Sequence, residues 1–236
     1  MALEKITGSL HGPSRRRYDD GCGTAHALDL IGERWALLVM RELMLGPKRF
    51  SDIRADLPGI SANTLTQRLD GLERNGLVMR EKLPPPASVQ VYGLTEWGYQ
   101  LLPVMGALGR WAVRSPDHDP NQHFSAVSLM LSFMAMGQPA NLAGLEARVG
   151  FRLGRENYVL TLKGGGARAA RGNPVDVDVV FEGAPAAIAA AVYGGVPLAA
   201  LEADGAVKVT GDRALAGRFT TLFPLPPRAS RPGATS

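Results

Sequence analysis

The chain has 236 residues, of which 45% are hydrophobic and 20% charged, so it can bury a sizeable core and is no disordered tail. The single cysteine, Cys22, excludes a disulfide framework and a thiolate-rich zinc site and fits a reducing compartment. The net charge of +4 permits a local nucleic-acid patch without requiring one; up to Ser115 there are fifteen basic and twelve acidic residues.

Met1–Leu10 lacks the basic start and apolar run of a secretory leader, and the charge-free stretch Ala184–Leu201 is too rich in Ala, Gly and Pro to span a bilayer. A cytoplasmic protein is the expectation. Residues 1–21, with the run Arg15-Arg16-Arg17, read as a flexible arm, 115–122 as a polar linker, and 227–236 as a disordered tail. Two bodies remain, 22–114 and 123–226, giving an α+β protein with a mostly helical first half.

In the first body, helices are expected at His26–Ile31 and at Glu33–Leu45, where Trp35, Leu38, Val39 and Leu43 fall at helical spacing before the stop Gly46-Pro47. Phe50–Leu57 is a third helix, with Ser51 able to cap it, and Pro58-Gly59 ends it. After the cap Ser61 a fourth helix runs through Arg74, burying Leu65, Leu69 and Leu72 and closing at Asn75-Gly76. Two short helices joined by a Pro-Gly turn, the second rich in polar residues, have the make-up of a helix-turn-helix.

At 100° per residue, the face opposite that leucine stripe carries Asn63, Gln67, Asp70 and Arg74, with Thr64 and Thr66 on its shoulders. Asn and Gln can pair with adenine edges and Thr can meet a thymine methyl. Arg68 lies nearer the buried side, as a phosphate contact or a structural ion pair. Lys48, Arg49 and the helix start at Ser61 are further candidate phosphate contacts. Leu77–Leu83 and Ser88–Leu94 form a β-hairpin around Pro84-Pro85-Pro86-Ala87, flanked by Arg80, Lys82 and Gln90, as expected of a wing. The proline tip also guards against edge-to-edge aggregation.

Thr95–Arg114 is read as one helix, kinked at Pro103. Its apolar residues Trp97, Leu101, Met105, Leu108 and Trp111 exceed what a small body needs. They suit a dimer seam, or alternatively packing against the second body. A dimer would set two reading helices about 34 Å apart on one face of DNA.

The segments Cys22–Trp35, Gly46–Ile53 and Leu57–Leu77, with Leu94-Thr-Glu-Trp-Gly98 and Trp111, resemble the HxlR-type branch of the MarR-like winged-helix regulators. The resemblance implies a homodimeric bacterial transcription factor that reads double-stranded DNA with the second helix of the motif and the wing. Cys22 stands where some members carry an oxidant-sensing thiol; a plain structural thiol is the alternative.

In the second body a helix is expected at Phe124–Met136, strands at Ala147–Leu153, Asn157–Leu162, Val175–Phe181 and Val207–Gly211, and helices at Ala184–Val192, Pro197–Ala203 and Asp212–Phe223. Gly164-Gly165-Gly166 is a turn. The segments Asp176–Gly183, Gly194–Leu201, Gly205–Asp212 and Arg218–Phe223 resemble the sterol-carrier-protein type of lipid-binding domain. That resemblance implies an apolar tunnel, for which Met130, Phe133, Met134, Phe181, Val192, Leu201 and Phe219 are lining candidates. A domain that only dimerises is the competing expectation.

No nucleophile elbow, phosphate loop or Cys-x-x-Cys pair is present, so neither enzymatic activity nor a cofactor is expected. Asp117-His118-Asp119 with His123 is better read as solvated linker than as a metal site. The competing function is a soluble carrier of apolar ligands whose helical segment mediates protein association.

Overall fold

The computed structural model describes residues 18–85, 88–120 and 122–231. The part of the proposed N-terminal arm before residue 18, two residues of the wing tip and the last five residues lie outside them.

Four helices open the chain: α1 (Gly23–Ile31), α2 (Ala36–Leu43), α3 (Phe50–Asp56) and α4 (Ala62–Arg74). Helix α2 starts three residues later than the periodicity suggests, because Trp35 at its N-cap sits in the left-handed region (φ 77°). The cap of α3 is Arg49 and not Ser51, which falls inside the first turn. The α3–α4 turn needs Gly59, whose φ of +90° is costly for a residue with a Cβ. Ser61 caps α4 by accepting from the Thr64 amide at 3.1 Å. At the other end Gly76 (φ +71°) is left-handed, as the Asn-Gly pair implies.

Strands β1 (Val78–Lys82) and β2 (Gln90–Leu94) pair antiparallel, with Lys82 opposite Gln90, and Tyr92 adds a bridge to Lys48. Then α5 (Glu96–Tyr99) and α6 (Leu102–Ala112) replace the single kinked helix expected for Thr95–Arg114. Pro103 occupies the first turn of α6, where its missing N–H costs nothing, so the chain breaks and restarts instead of bending. Val39, Met40, Leu43, Ile53, Leu65, Leu69 and Leu72 close the first core around α2 and α4.

The second body begins with α7 (Ala126–Met136) and α8 (Pro139–Leu142), followed by β3 (Ala147–Leu153), β4 (Glu156–Lys163), β5 (Gly166–Arg171) and β6 (Val179–Gly183). Helices α9 (Pro185–Tyr193) and α10 (Leu198–Ala203) lead to β7 (Val207–Gly211) and α11 (Arg213–Phe219). The sheet order is β5-β4-β3-β6-β7, with only β3 and β6 parallel. Strand β5 is not anticipated from sequence: Gly-Ala-Arg-Ala-Ala-Arg has little strand propensity. It forms because Gly164 and Gly165 (φ +59° and +75°) make a tight turn that returns the chain along β4.

The second core is aromatic. Phe133 lies 4.9 Å from Phe223 and 5.2 Å from Phe219, while Phe151 stacks on Phe181 at 5.6 Å between ring centres. The tail does not leave the molecule at once. The Ala229 amide donates to the Arg114 carbonyl at 2.7 Å, and the Arg114 side chain donates to the Pro227 carbonyl at 3.1 Å. The expectation of disorder from residue 227 is therefore corrected up to residue 231.

Candidate nucleic-acid interface

Helix α4 presents two chemically distinct sides. Leu65, Leu69 and Leu72 are buried against α2 and the hairpin, whereas Asn63, Thr66, Gln67 and Arg74 are exposed. Thr64 is half-buried and its hydroxyl is 2.8 Å from that of Ser61, so both hydroxyls serve the cap. The Thr66 hydroxyl donates to the Ala62 carbonyl, so its donor is spent within the helix. Asn63 and Gln67 are the amides left pointing outward, one turn apart, with Arg74 two turns beyond.

The sequence left two options for Arg68. Its Nε donates to the Arg34 carbonyl at 2.9 Å and its guanidinium lies 3.2 Å from Glu33, so it ties α4 to the turn before α2. Arg80 of β1 pairs with both Asp70 and Glu73 of α4 and lies over the Tyr92 ring. It joins the wing to the reading helix and is a positioning group more than a phosphate contact. Lys82 and Gln90 remain exposed at the base of the wing, as does Arg49 at the start of α3; the Gln90 amide donates to the Tyr92 hydroxyl at 3.2 Å.

Lys48 requires correction. It is buried (3% exposed) and cannot touch a phosphate. Its Nζ lies 3.1 Å from Glu42 of α2, 2.6 Å from Asp56 of α3 and 3.2 Å from Glu156 of β4. Glu42 is wholly buried and also accepts from Arg41 and from the Ser125 hydroxyl at the start of α7. Arg155 reaches Asp56 at 2.7 Å, and Arg171 reaches Glu156 at 3.1 Å and the Pro47 carbonyl at 2.9 Å. These seven charged side chains weld the second body to the helix-turn-helix. None except Lys48 was singled out from sequence. One signal was legible: Glu42 falls on the same face of α2 as Val39 and Leu43, and a carboxylate there needs a buried cation.

Of the five seam candidates, Trp97, Leu108 and Trp111 are exposed (49%, 45% and 72%), and Val104 joins them at 56%. Leu101 and Met105 face the first core instead. Along its length α6 also lies against α7, so the alternative of packing against the second body is realised, while Val104, Leu108 and Trp111 of the same helix stay exposed. The tunnel candidates are corrected: Met130, Phe133, Phe181, Phe219 and Val192 are core residues that fill the space between sheet and helices, and half-buried Leu201 packs at its edge. Met134 alone of the seven lines an apolar cleft, which lies between the two bodies.

Cys22 is exposed at the N-cap of α1. The Thr24 and Ala25 amides and the Thr24 hydroxyl, beside it at the start of α1, hold its thiol below the ordinary range. Among the described residues no group of acidic, His or Cys side chains could hold a metal ion, and no helix is long and apolar enough to cross a membrane.

Residues 30–119 match the family model for the HxlR-like helix-turn-helix, and residues 134–224 match that of the SCP-2 sterol transfer family. The HTH-type transcriptional regulator YvaP of Bacillus subtilis is 38% identical over 91 residues, spanning 39% of this chain and 84% of that protein.

The chain belongs to the HxlR-like helix-turn-helix family.

The regulator YodB of Bacillus subtilis is similar too, 42% identical over 86 residues, or 36% of this chain and 77% of YodB. Its solved reduced form covers 42% of this HxlR-like chain and 98% of its own at 38% identity, with a TM-score of 0.38. The HxlR-like match ends at residue 119 and the SCP-2 match begins at residue 134, so the two families divide the chain between them.

Proposed function

We propose that this HxlR-like regulator is a homodimeric repressor that binds a pseudo-palindromic operator, α4 lying in the major groove and the wing along the backbone. The observation that carries the reading is the two-sided α4: three leucines buried beneath an outward face of Asn63, Gln67 and Arg74. Asn63 and Gln67 present the donor–acceptor pairs that read adenine, while Arg49, Arg74 and Lys82 supply phosphate contacts. The outer side of α6, with Val104, Leu108 and Trp111, supplies the twofold seam. The protein acts in the cytoplasm and catalyses no reaction.

Cys22 supports a thiol-based input to the same regulator, because an exposed thiol of lowered pKa offers more thiolate at neutral pH. The carrier reading has less support, since aromatic rings fill the site where a tunnel would lie. The test is an electrophoretic shift with the DNA flanking the protein's own gene, at rising salt. Retardation of one fragment that falls steeply with salt supports the proposal. Failure to shift any such fragment even at low salt refutes it.

A further inference from the structure

Between the two bodies runs an apolar cleft of about 640 Å³, walled by α2, α6, α7 and β5. Its size is that of a small-molecule site. It exists because the crossing helices carry small residues, Gly106 and Gly109 on α6 and Ala135 on α7, while Leu37, Met105, Leu131 and Met134 form its walls. Of its polar side chains, Arg41 is paired with Glu42, the Ser132 hydroxyl donates to the Leu129 carbonyl and the Ser128 hydroxyl is bonded to that of Ser125, which leaves Arg110 as the lining cation without a carboxylate partner among the described residues. No carboxylate lines it. Arg110 is exposed and gives one guanidinium nitrogen to the Ala135 carbonyl at 2.8 Å, which holds the cation across the mouth of the cleft.

We infer that this cleft binds a small amphipathic carboxylic acid, its hydrocarbon part between α6 and α7 and its carboxylate toward Arg110. Charge complementarity selects this occupant. An alkylammonium of the same length would bring a cation to Arg110 with no acid on the cleft lining to receive it. The cleft is distinct from the filled interior of the SCP-2 body. It extends the regulatory reading and does not depend on it: Leu37, Leu38 and Arg41 belong to α2, which packs on the reading helix α4.

The test uses the full-length protein, dansyl-undecanoate as fluorescent probe, and dodecanoate against dodecylammonium as competitors. Saturable binding is expected, with dodecanoate displacing the probe at a concentration about tenfold lower than dodecylammonium. Gly109→Leu fills the cleft at little cost to the fold, since a Cβ there meets nothing within 4 Å. It should weaken probe binding at least about tenfold with an unchanged circular-dichroism spectrum and gel-filtration mass. Arg110→Gln should weaken binding of the anionic probe by up to about tenfold and erase the preference for the carboxylate.

Equal displacement by both competitors overturns the inference, as does full probe binding by Gly109→Leu, which would put the probe elsewhere. A fall in assembly mass on Gly109→Leu, with probe binding intact, would make the cleft a subunit seam and overturn it as well. Because no DNA enters the test, its failure leaves the operator-binding reading standing.

Discussion

Replacing Lys48 by Met separates two roles that a lysine near a recognition helix can have. Among the described residues its Nζ is the only cation within 4 Å of Glu42 besides the neighbouring Arg41, and it also serves Asp56 and Glu156. The side chains of those carboxylates are 0%, 16% and 12% exposed, so they cannot turn to water when the ammonium is lost. Breaking a buried pair by removing one partner costs about 3–5 kcal/mol. Arg155 and Arg171 still serve Asp56 and Glu156, which holds the loss to the lower part of that range. Urea denaturation should therefore show a loss of about 3 kcal/mol, and the melting temperature should fall by roughly 6–12 °C at the 2–4 °C per kcal/mol typical of this size. Adding Glu42→Gln should return part of the loss, because the uncompensated charge is then gone. The salt dependence of DNA binding should not change. A loss under about 1 kcal/mol would refute the buried hub, and a shallower salt slope at unchanged stability would return Lys48 to the phosphates.

Gln67→Ala should cost about 1–3 kcal/mol of discrimination at one base position and leave the others unaltered, as read by competition with single-substitution operators. Lys82→Ala should weaken every sequence alike and lower the salt slope by about one; a change in sequence preference would contradict the wing assignment. Arg80→Ala should act differently, loosening wing and helix together through the lost Asp70 and Glu73 pairs, and so raise hydrogen exchange in β1. Trp111→Glu, at a side chain 72% exposed, should halve the assembly mass in sedimentation and abolish tight operator binding. Alkylation of Cys22 should titrate with a midpoint below the ordinary thiol value of about 8.5 in the folded protein and return to it in urea. The sign follows from the N–H groups of Thr24 and Ala25, which favour the thiolate only while α1 is formed.

Legibility in the sequence tracked the range of the interactions. The cap Ser61, the stop at Asn75-Gly76 and the turn at Pro58-Gly59 are local devices, and each appears where the sequence puts it. The amphipathic stripe of α4 is also local in effect, since Leu65, Leu69 and Leu72 can be buried on one side only, which fixes the outward side proposed to read DNA. Strand β5 and the split at Pro103 were harder. The first is held by its partner β4 and not by its own residues, and the second depends on whether a proline falls in a helix interior or a first turn. Contacts distant in sequence were illegible. Lys48 and Glu156 are separated by 108 positions, and nothing in a lysine beside an arginine says that one will be buried and the other exposed.

The same asymmetry explains why the tunnel was misplaced. A resemblance carried by small and apolar residues predicts which elements form, but whether the space between them stays open is decided by side-chain volume. Phe133, Phe151, Phe181, Phe219 and Phe223 meet at ring separations between 4.9 and 5.7 Å, which leaves no room for a guest at that centre. Space is left instead where glycines and alanines of α6 and α7 face each other, at the boundary between an HxlR-like body and an added SCP-2 body. Closing the second core with five phenylalanines and leaving a cleft beside α2 moves the available apolar surface from the interior of one body to the junction of both. A molecule seated there touches the element on which the reading helix rests.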